Sequence, residues 1–221
     1  MTNGEILSRV DHTLLKAAAS WEEIKTLCDE AVRFKTASVC IPPCYVKPVH
    51  EEFGSNPVIA TVIGFPLGYS TAAAKIIETE DAVNSGAAEI DMVINICDVR
   101  NGHFDRVLDE IKLIKKACGK KILKVIIETC YLTEEEKVRL CGIVTEAGAD
   151  FIKTSTGFGT AGATVNDILL FRKHIGAGVK IKAAGGIKTR DDLEAFIGAG
   201  ADRIGASSAV KLLAGGSAEN Y

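Results

Sequence analysis

The feature that most limits what this chain can fold into is an alternation. Short apolar segments recur at residues 10–15, 37–41, 57–63, 89–94, 122–127, 150–155, 180–184 and 202–206. The order reads strand then helix, eight times, with no linker and no break in composition. Several segments are apolar on both faces, as strands of a parallel sheet covered by helices must be. Eight such units in 221 residues predict one α/β domain over 1–221, a (β/α)8 TIM barrel, with a short extra helix at residues 2–9. The competing arrangement is an open doubly wound sheet. It calls for a Gly-rich turn after the first strand, and none is there.

Local signals support the alternation. Ser20 with Glu23, and Thr133 with Glu136, read as capping boxes that start helices. After Ser20, residues Ile24, Leu27, Ala31 and Phe34 keep helical spacing. Further helices are expected over 70–86, 103–118, from 165 and over 189–199. The pairs Gly86-Ala87, Gly148-Ala149 and Gly200-Ala201, each followed by an acidic residue and a strand, look like one repeated helix-to-strand joint.

Composition excludes several function classes. A net charge of -3 is wrong for a protein that holds nucleic acid by bulk electrostatics. No apolar run approaches the roughly 18 residues of a membrane span. The seven cysteines are scattered without a CxxC, and Cys40 with Cys44 lacks a second ligand pair for zinc. They read as reduced thiols in the cytosol, and no metal or cofactor is expected.

The chemistry concentrates on Lys153, in a short strand that runs on into Thr154-Ser-Thr-Gly157. An unpaired ammonium in a buried strand costs several kcal/mol. Lys153 is therefore either a partnered structural cation or an amine with a lowered pKa, able to form a Schiff base. Alternation puts Phe151, Lys153 and Ser155 on one face, Lys180, Lys182 and Ala184 on another, and Glu89, Asp91 and Val93 on a third. Turned inward, those faces bring Lys153, Lys182 and Asp91 into one cavity. A second ammonium and dry walls favour the neutral amine. Bringing a lysine down by about 3 units needs about 4 kcal/mol of differential interaction. Asp91 would then move protons. The alternative is an internal salt bridge between Asp91 and one lysine. Lys124 and Glu128 on the fifth strand either support this site or pair toward a helix.

Around this centre, Asp11, Thr13 and Cys40 close the first two strands and are expected to line the pocket. Cys40 reads more readily as a small buried hydrophobe than as a nucleophile. Gly185-Gly186 after the seventh strand and Gly205-Ala-Ser207-Ser208 after the eighth stand where a barrel builds phosphate sites from backbone N–H groups and a short helix. Either serine could instead cap the last helix. The histidines His50, His103 and His174 sit in polar contexts, and His12 is expected on the side of its strand away from Asp11.

Taken together, Asp11-His-Thr-Leu-Leu-Lys16, Glu89-Ile-Asp-Met-Val93, Lys124-Val-Ile-Ile-Glu-Thr129, Phe151-Ile-Lys-Thr-Ser-Thr-Gly-Phe158, Lys182-Ala-Ala-Gly-Gly-Ile187 and Gly205-Ala-Ser-Ser208 resemble the deoxyribose-phosphate aldolases, in the same order and over essentially the whole chain. The resemblance implies a metal-free class I aldolase that reversibly cleaves 2-deoxy-D-ribose 5-phosphate to acetaldehyde and D-glyceraldehyde 3-phosphate. By position it makes Lys153 the Schiff-base lysine and Lys182 the group that lowers its pKa. Asp91 shares the proton shuttling with Lys182, and Asp11, Thr13 and Cys40 are near the substrate. Gly157, Gly185, Gly186, Ser207 and Ser208 resemble the phosphate cradle. Some relatives carry a lysine after the glycine that is Gly157 here; this chain has Phe158, which supplies no cation. The resemblance also implies a C-terminal tyrosine, Tyr221, that reaches in to help proton transfer, against the plain reading of a frayed end. A small phosphorylated sugar and acetaldehyde are the expected partners, with a homo-oligomer, dimer or tetramer, as the assembly. Another Schiff-base aldolase, or a barrel that binds a sugar phosphate without catalysis, are the alternatives.

Overall fold

In a computed structural model describing residues 1–214, eight parallel strands close on themselves in sequence order. They are β1 (Val10–Thr13), β2 (Ser38–Ile41), β3 (Ile59–Ile63), β4 (Glu89–Val93), β5 (Ile122–Ile126), β6 (Phe151–Lys153), β7 (Lys180–Ala184) and β8 (Arg203–Ala206). Closure is made by β1 against β8, with Asp11 opposite Gly205. The (β/α)8 barrel read from the sequence is the fold observed. Tyr221 lies outside the described residues.

The helices around the barrel are α1 (Asn3–Leu7), α2 (Trp21–Phe34), α3 (Val46–Phe53), α4 (Ala72–Asn84), α5 (Ile96–Arg100), α6 (Phe104–Cys118), α7 (Glu134–Glu146), α8 (Val165–His174), α9 (Arg190–Ala199) and α10 (Ala209–Leu213). The short first helix precedes the barrel as expected, and Asn3 Nδ2 donates to Leu213 O of α10 at 2.7 Å. Helix α3 was not among the helices expected from the sequence. Pro48 falls in its first turn, where the missing N–H has no intrahelical partner to lose. Strand β6 is shorter than its apolar segment, yet the ladder runs one residue further, with Thr154 N–H donating to Lys182 O at 3.1 Å.

Both capping boxes form: Ser20 and Thr133 accept from the N–H of Glu23 and Glu136, whose carboxylates bond back to the cap amides. Each such cap is worth about 1 kcal/mol. The repeated Gly-Ala joint is a Schellman closure. Ala87, Ala149 and Ala201 each donate back to the carbonyl five residues earlier, at 2.9, 3.3 and 2.9 Å. Gly86, Gly148 and Gly200 take positive φ there. After two of these joints the acidic residue ties down the neighbouring strand: Asp150 and Asp202 accept from the N–H of Leu123 and Ile181.

The main apolar core lies between strands and helices, where Ile24, Leu27, Ile111, Ile114 and Phe171 are buried. Each such side chain contributes about 1.5–3 kcal/mol. A second, small cluster of Cys40, Ala60 and Val62, with Leu15 and Phe65 packed against it, comes from β2 and β3 alone and stands apart from that core.

Candidate active site

The barrel interior is polar where such interiors are usually branched and apolar. Register sets the heights: Asp91 lies opposite Lys124, and Lys153 opposite Lys182. Asp91 is fully buried and holds three lysines. Its Oδ1 meets Lys124 Nζ at 2.7 Å, and its Oδ2 meets both Lys153 Nζ at 2.8 Å and Lys182 Nζ at 2.7 Å. Asp11 forms the second anionic post, with Oδ2 2.5 Å from Lys182 Nζ and Oδ1 2.5 Å from Arg203 Nη1. Glu89 forms the third, bridging Lys124 at 2.5 Å and Arg203 at 3.3 Å. Below them, the buried ring of Phe151 lies 5.6 Å from the Arg203 guanidinium and 5.8 Å from Lys180 Nζ, within cation–π range.

Four basic groups thus face three carboxylates in one dry network. The cheapest arrangement there is three cations, and Lys153 is the natural member to go neutral. It has one partner, Asp91, whereas Lys124 pairs with three carboxylates and Lys182 with two. Burial pushes the Lys153 ammonium down; Asp91 pulls it up and Lys182 pushes it down again, leaving its pKa below that of an ordinary lysine. For Lys182, burial is outweighed by Asp11 and Asp91, so its pKa is raised. For Lys124 the carboxylates Asp91 and Asp11 outweigh burial in the same way. Burial would push the Asp91 carboxyl up, but Lys124, Lys153 and Lys182 overcome it and hold it well below the usual range. The neighbouring cation was expected to be the chief cause of a neutral Lys153. Desolvation comes first, and Lys182 adds to it.

The remaining sequence candidates fall into two groups. Cys40 is buried in the small cluster of β2 and β3, where burial and then Asp91 raise its thiol pKa, so it serves as an apolar wall. Thr13 turns its hydroxyl onto Asp11 O at 2.8 Å. His12 points outward, Nε2 2.7 Å from Glu30 of α2. The glycines after β6 and β7 meet closely. A Cβ placed on Gly185 would lie 3.1 Å from Gly162 Cα, 3.4 Å from Gly157 Cα and 3.6 Å from Ser155 Cβ. Gly157, Gly185 and Gly186 have φ of 89°, 79° and 74°, a left-handed backbone that favours glycine at each of these positions. The Ser155 hydroxyl is buried beside these glycines without a hydrogen-bond partner. Ser207 is exposed. Ser208 precedes α10 without capping it through its side chain.

Arg203 went unassigned in the sequence; Lys124 was left between two roles, and Glu89 was placed on the inward face of its strand without a role. Alternation alone finds Arg203, which shares a strand face with Gly205. Gly205 in turn leaves room for Lys182, since a Cβ there would meet Lys182 Cε at 3.1 Å. Beside the polar centre, a cleft of about 240 Å³ opens over β1–β3 between Leu15, Tyr45, Val62 and Phe65. It shares Val62 with the apolar wall.

Comparison with known proteins adds a second line. The model of the DeoC/LacD family aldolases matches residues 6–215. A deoxyribose-phosphate aldolase of Clostridium botulinum (strain Alaska E43 / Type E3) is 60% identical over 221 residues, covering 100% of both chains. One from Clostridioides difficile (strain 630) is 60% identical over 208 residues, 94% of this chain and 95% of that one. Among solved structures, an aldolase called QR15 superposes with a TM-score of 0.91 at 36% identity, covering 95% of each chain. The deoxyribose phosphate aldolase of Aeropyrum pernix, described as having a unique tetrameric structure, superposes with a TM-score of 0.86 at 31% identity, over 96% of this chain and 91% of that one.

Proposed function

The chain belongs to the DeoC/LacD aldolase family, and from that premise we propose that Lys153 is the amine through which it cleaves 2-deoxy-D-ribose 5-phosphate to acetaldehyde and D-glyceraldehyde 3-phosphate. The observation that carries the reading is the shared Asp91 oxygen: Lys182, which Asp11 also holds, and the weakly partnered Lys153 meet on it, at 2.7 and 2.8 Å. A neutral amine so placed attacks the C1 aldehyde of the open-chain sugar and loses water to give an imine. The protonated imine is an electron sink. Loss of the C3 hydroxyl proton then lets the C2–C3 bond break, releasing D-glyceraldehyde 3-phosphate and leaving an enamine on Lys153. Protonation at C2 and hydrolysis release acetaldehyde and restore the amine. Asp91 and Lys182, joined by a hydrogen bond, are the groups in reach to move those protons. Asp11 holds Lys182 charged from its other side.

The glycine surface of Gly157, Gly185 and Gly186 is proposed to receive the phosphate through backbone N–H groups, with Ser207 and Ser208 as hydroxyl donors. Asp11, Thr13 and Cys40 complete the substrate side of the proposal. Tyr221 is proposed to reach the site from the chain end. The seven cysteines, all unpaired, suit a cytosolic enzyme. Among the described residues no helix is long and apolar enough to cross a membrane. Association into a homo-oligomer is proposed by analogy with the Aeropyrum pernix relative.

The test is borohydride reduction in the presence of acetaldehyde, followed by mass spectrometry. The expected result is a covalent ethyl adduct on Lys153. An adduct elsewhere, or none, sinks the assignment, and phosphate binding without an adduct would mark a sugar-phosphate-binding barrel.

A further inference from the structure

Glu128, in the turn after β5, has a backbone in the left-handed region, with φ 54° and ψ 68°. For a residue with a Cβ that conformation costs about 1–2 kcal/mol, so something must hold it. On either side the backbone is pinned to β6: Ile127 N–H donates to Lys153 O at 3.1 Å, and Thr129 N–H to Thr154 O at 2.9 Å. Between those two bonds the chain kinks and turns the Glu128 side chain inward, where it is buried.

The carboxylate meets chiefly Thr156, with the Cys130 thiol 3.9 Å from Oε1. Thr156 N–H donates to Oε1 and Oε2 at 3.2 and 3.3 Å, and the Thr156 hydroxyl donates to Oε2. Thr156 Oγ1 in turn accepts the N–H of Phe158 at 3.0 Å. Glu128 therefore fixes the backbone on both sides of Gly157, the glycine whose Cα lies against the Gly185 turn. Gly159 closes over the same carboxylate, since a Cβ there would stand 3.2 Å from Glu128 Cδ and 2.8 Å from Cys130 Sγ.

We propose that Glu128 is a positioning residue for the phosphorylated substrate: it shapes the 155–159 loop so that the Gly157 and Gly185 amides converge on one anion. The role rests on the reading of the glycine surface as the phosphate site and of Lys153 as the nucleophile. It predicts a split. Binding of a phosphorylated sugar depends on Glu128, while imine formation with acetaldehyde, which carries no phosphate, does not. A glutamine in its place keeps an oxygen for the Thr156 amide and gains an NH₂ for its hydroxyl, so it should restore the loop; alanine should not.

The experiment measures KM and kcat for 2-deoxyribose 5-phosphate beside the rate of borohydride trapping with acetaldehyde. For Glu128→Ala the expected result is a KM raised about tenfold or more, the size expected when a positioning contact slips by a fraction of an ångström. Trapping should stay within about threefold of the parent, and Glu128→Gln should stay near it in both readouts. Should Glu128→Ala fail to fold, Gly159→Ala presses on the same carboxylate and should raise KM in the same way. Unchanged KM in Glu128→Ala, or in Gly159→Ala where that variant stands in, overturns the proposal, as does an equal loss of trapping and sugar cleavage. Absence of an adduct in the parent protein would overturn the Schiff-base reading and this proposal with it.

Discussion

Lys153 and Lys182 share one oxygen: their ammonium nitrogens stand 2.8 and 2.7 Å from Asp91 Oδ2. Two cations on one anion cannot both be fully satisfied, and Lys182 has Asp11 as well. The arrangement therefore sorts the two lysines, one charged and one able to be neutral.

Replacing Lys182 by leucine removes the cation and leaves Asp91 to hold Lys153 charged. Imine formation near neutral pH should fall by about two orders of magnitude or more, and the pH at which Lys153 becomes reactive should move up. Acetaldehyde trapping as a function of pH measures both. Unchanged turnover would remove Lys182 from the mechanism.

Lys153→Met should abolish cleavage and leave the protein at least as stable as the parent. The substitution takes the fourth base out of a network with three carboxylates, and Asp91 keeps Lys124 and Lys182, so no buried charge is left unpaired. A guanidinium denaturation midpoint well below the parent's would show that Lys153 is a structural cation after all.

Asp91→Asn removes the anion that holds Lys124, Lys153 and Lys182. Breaking such a buried cluster should cost about 3–5 kcal/mol and most of the activity. The pH dependence follows from the sign of the shift. The Asp91 carboxyl titrates well below its ordinary value of 3.8. Its stabilising contribution is therefore complete above that value and lost as pH falls toward the lower folded-state value. The asparagine variant should lose less stability than the parent on going from pH 5 to pH 3. Parallel stability curves for the two proteins would contradict this.

Gly185→Ala places a methyl group 3.1 Å from Gly162 Cα at a backbone φ of 79°. Strain alone should cost about 1–2 kcal/mol. KM for the phosphorylated sugar should rise while acetaldehyde trapping persists. Steady-state kinetics beside the trapping assay separates the two effects.

Much of this was legible from the strand faces. Period-two alternation put Asp91, Lys153 and Lys182 in one cavity, because a side chain two residues along a strand must return to the same face. It could not give height, which depends on register between strands. That is why Lys124, opposite Asp91, was left between two roles. Arg203 escaped for a related reason: it begins its strand, and strand ends are the least certain feature of an apolar segment. The left-handed Glu128 had no signal, since neither glycine nor asparagine marks that turn. The second buried ion pair, Lys75 with Glu110 at 2.7 Å, was equally hidden. Lys75 sits on a helix and reaches Val93 O at the end of β4, a contact that only the packing of α4 against the barrel creates.

Phe151, three per cent exposed beneath the charged network with Arg203 and Lys180 at its ring, plugs the lower end of the barrel. Water is kept from that side of the network, which sustains the desolvation that lowers the Lys153 pKa.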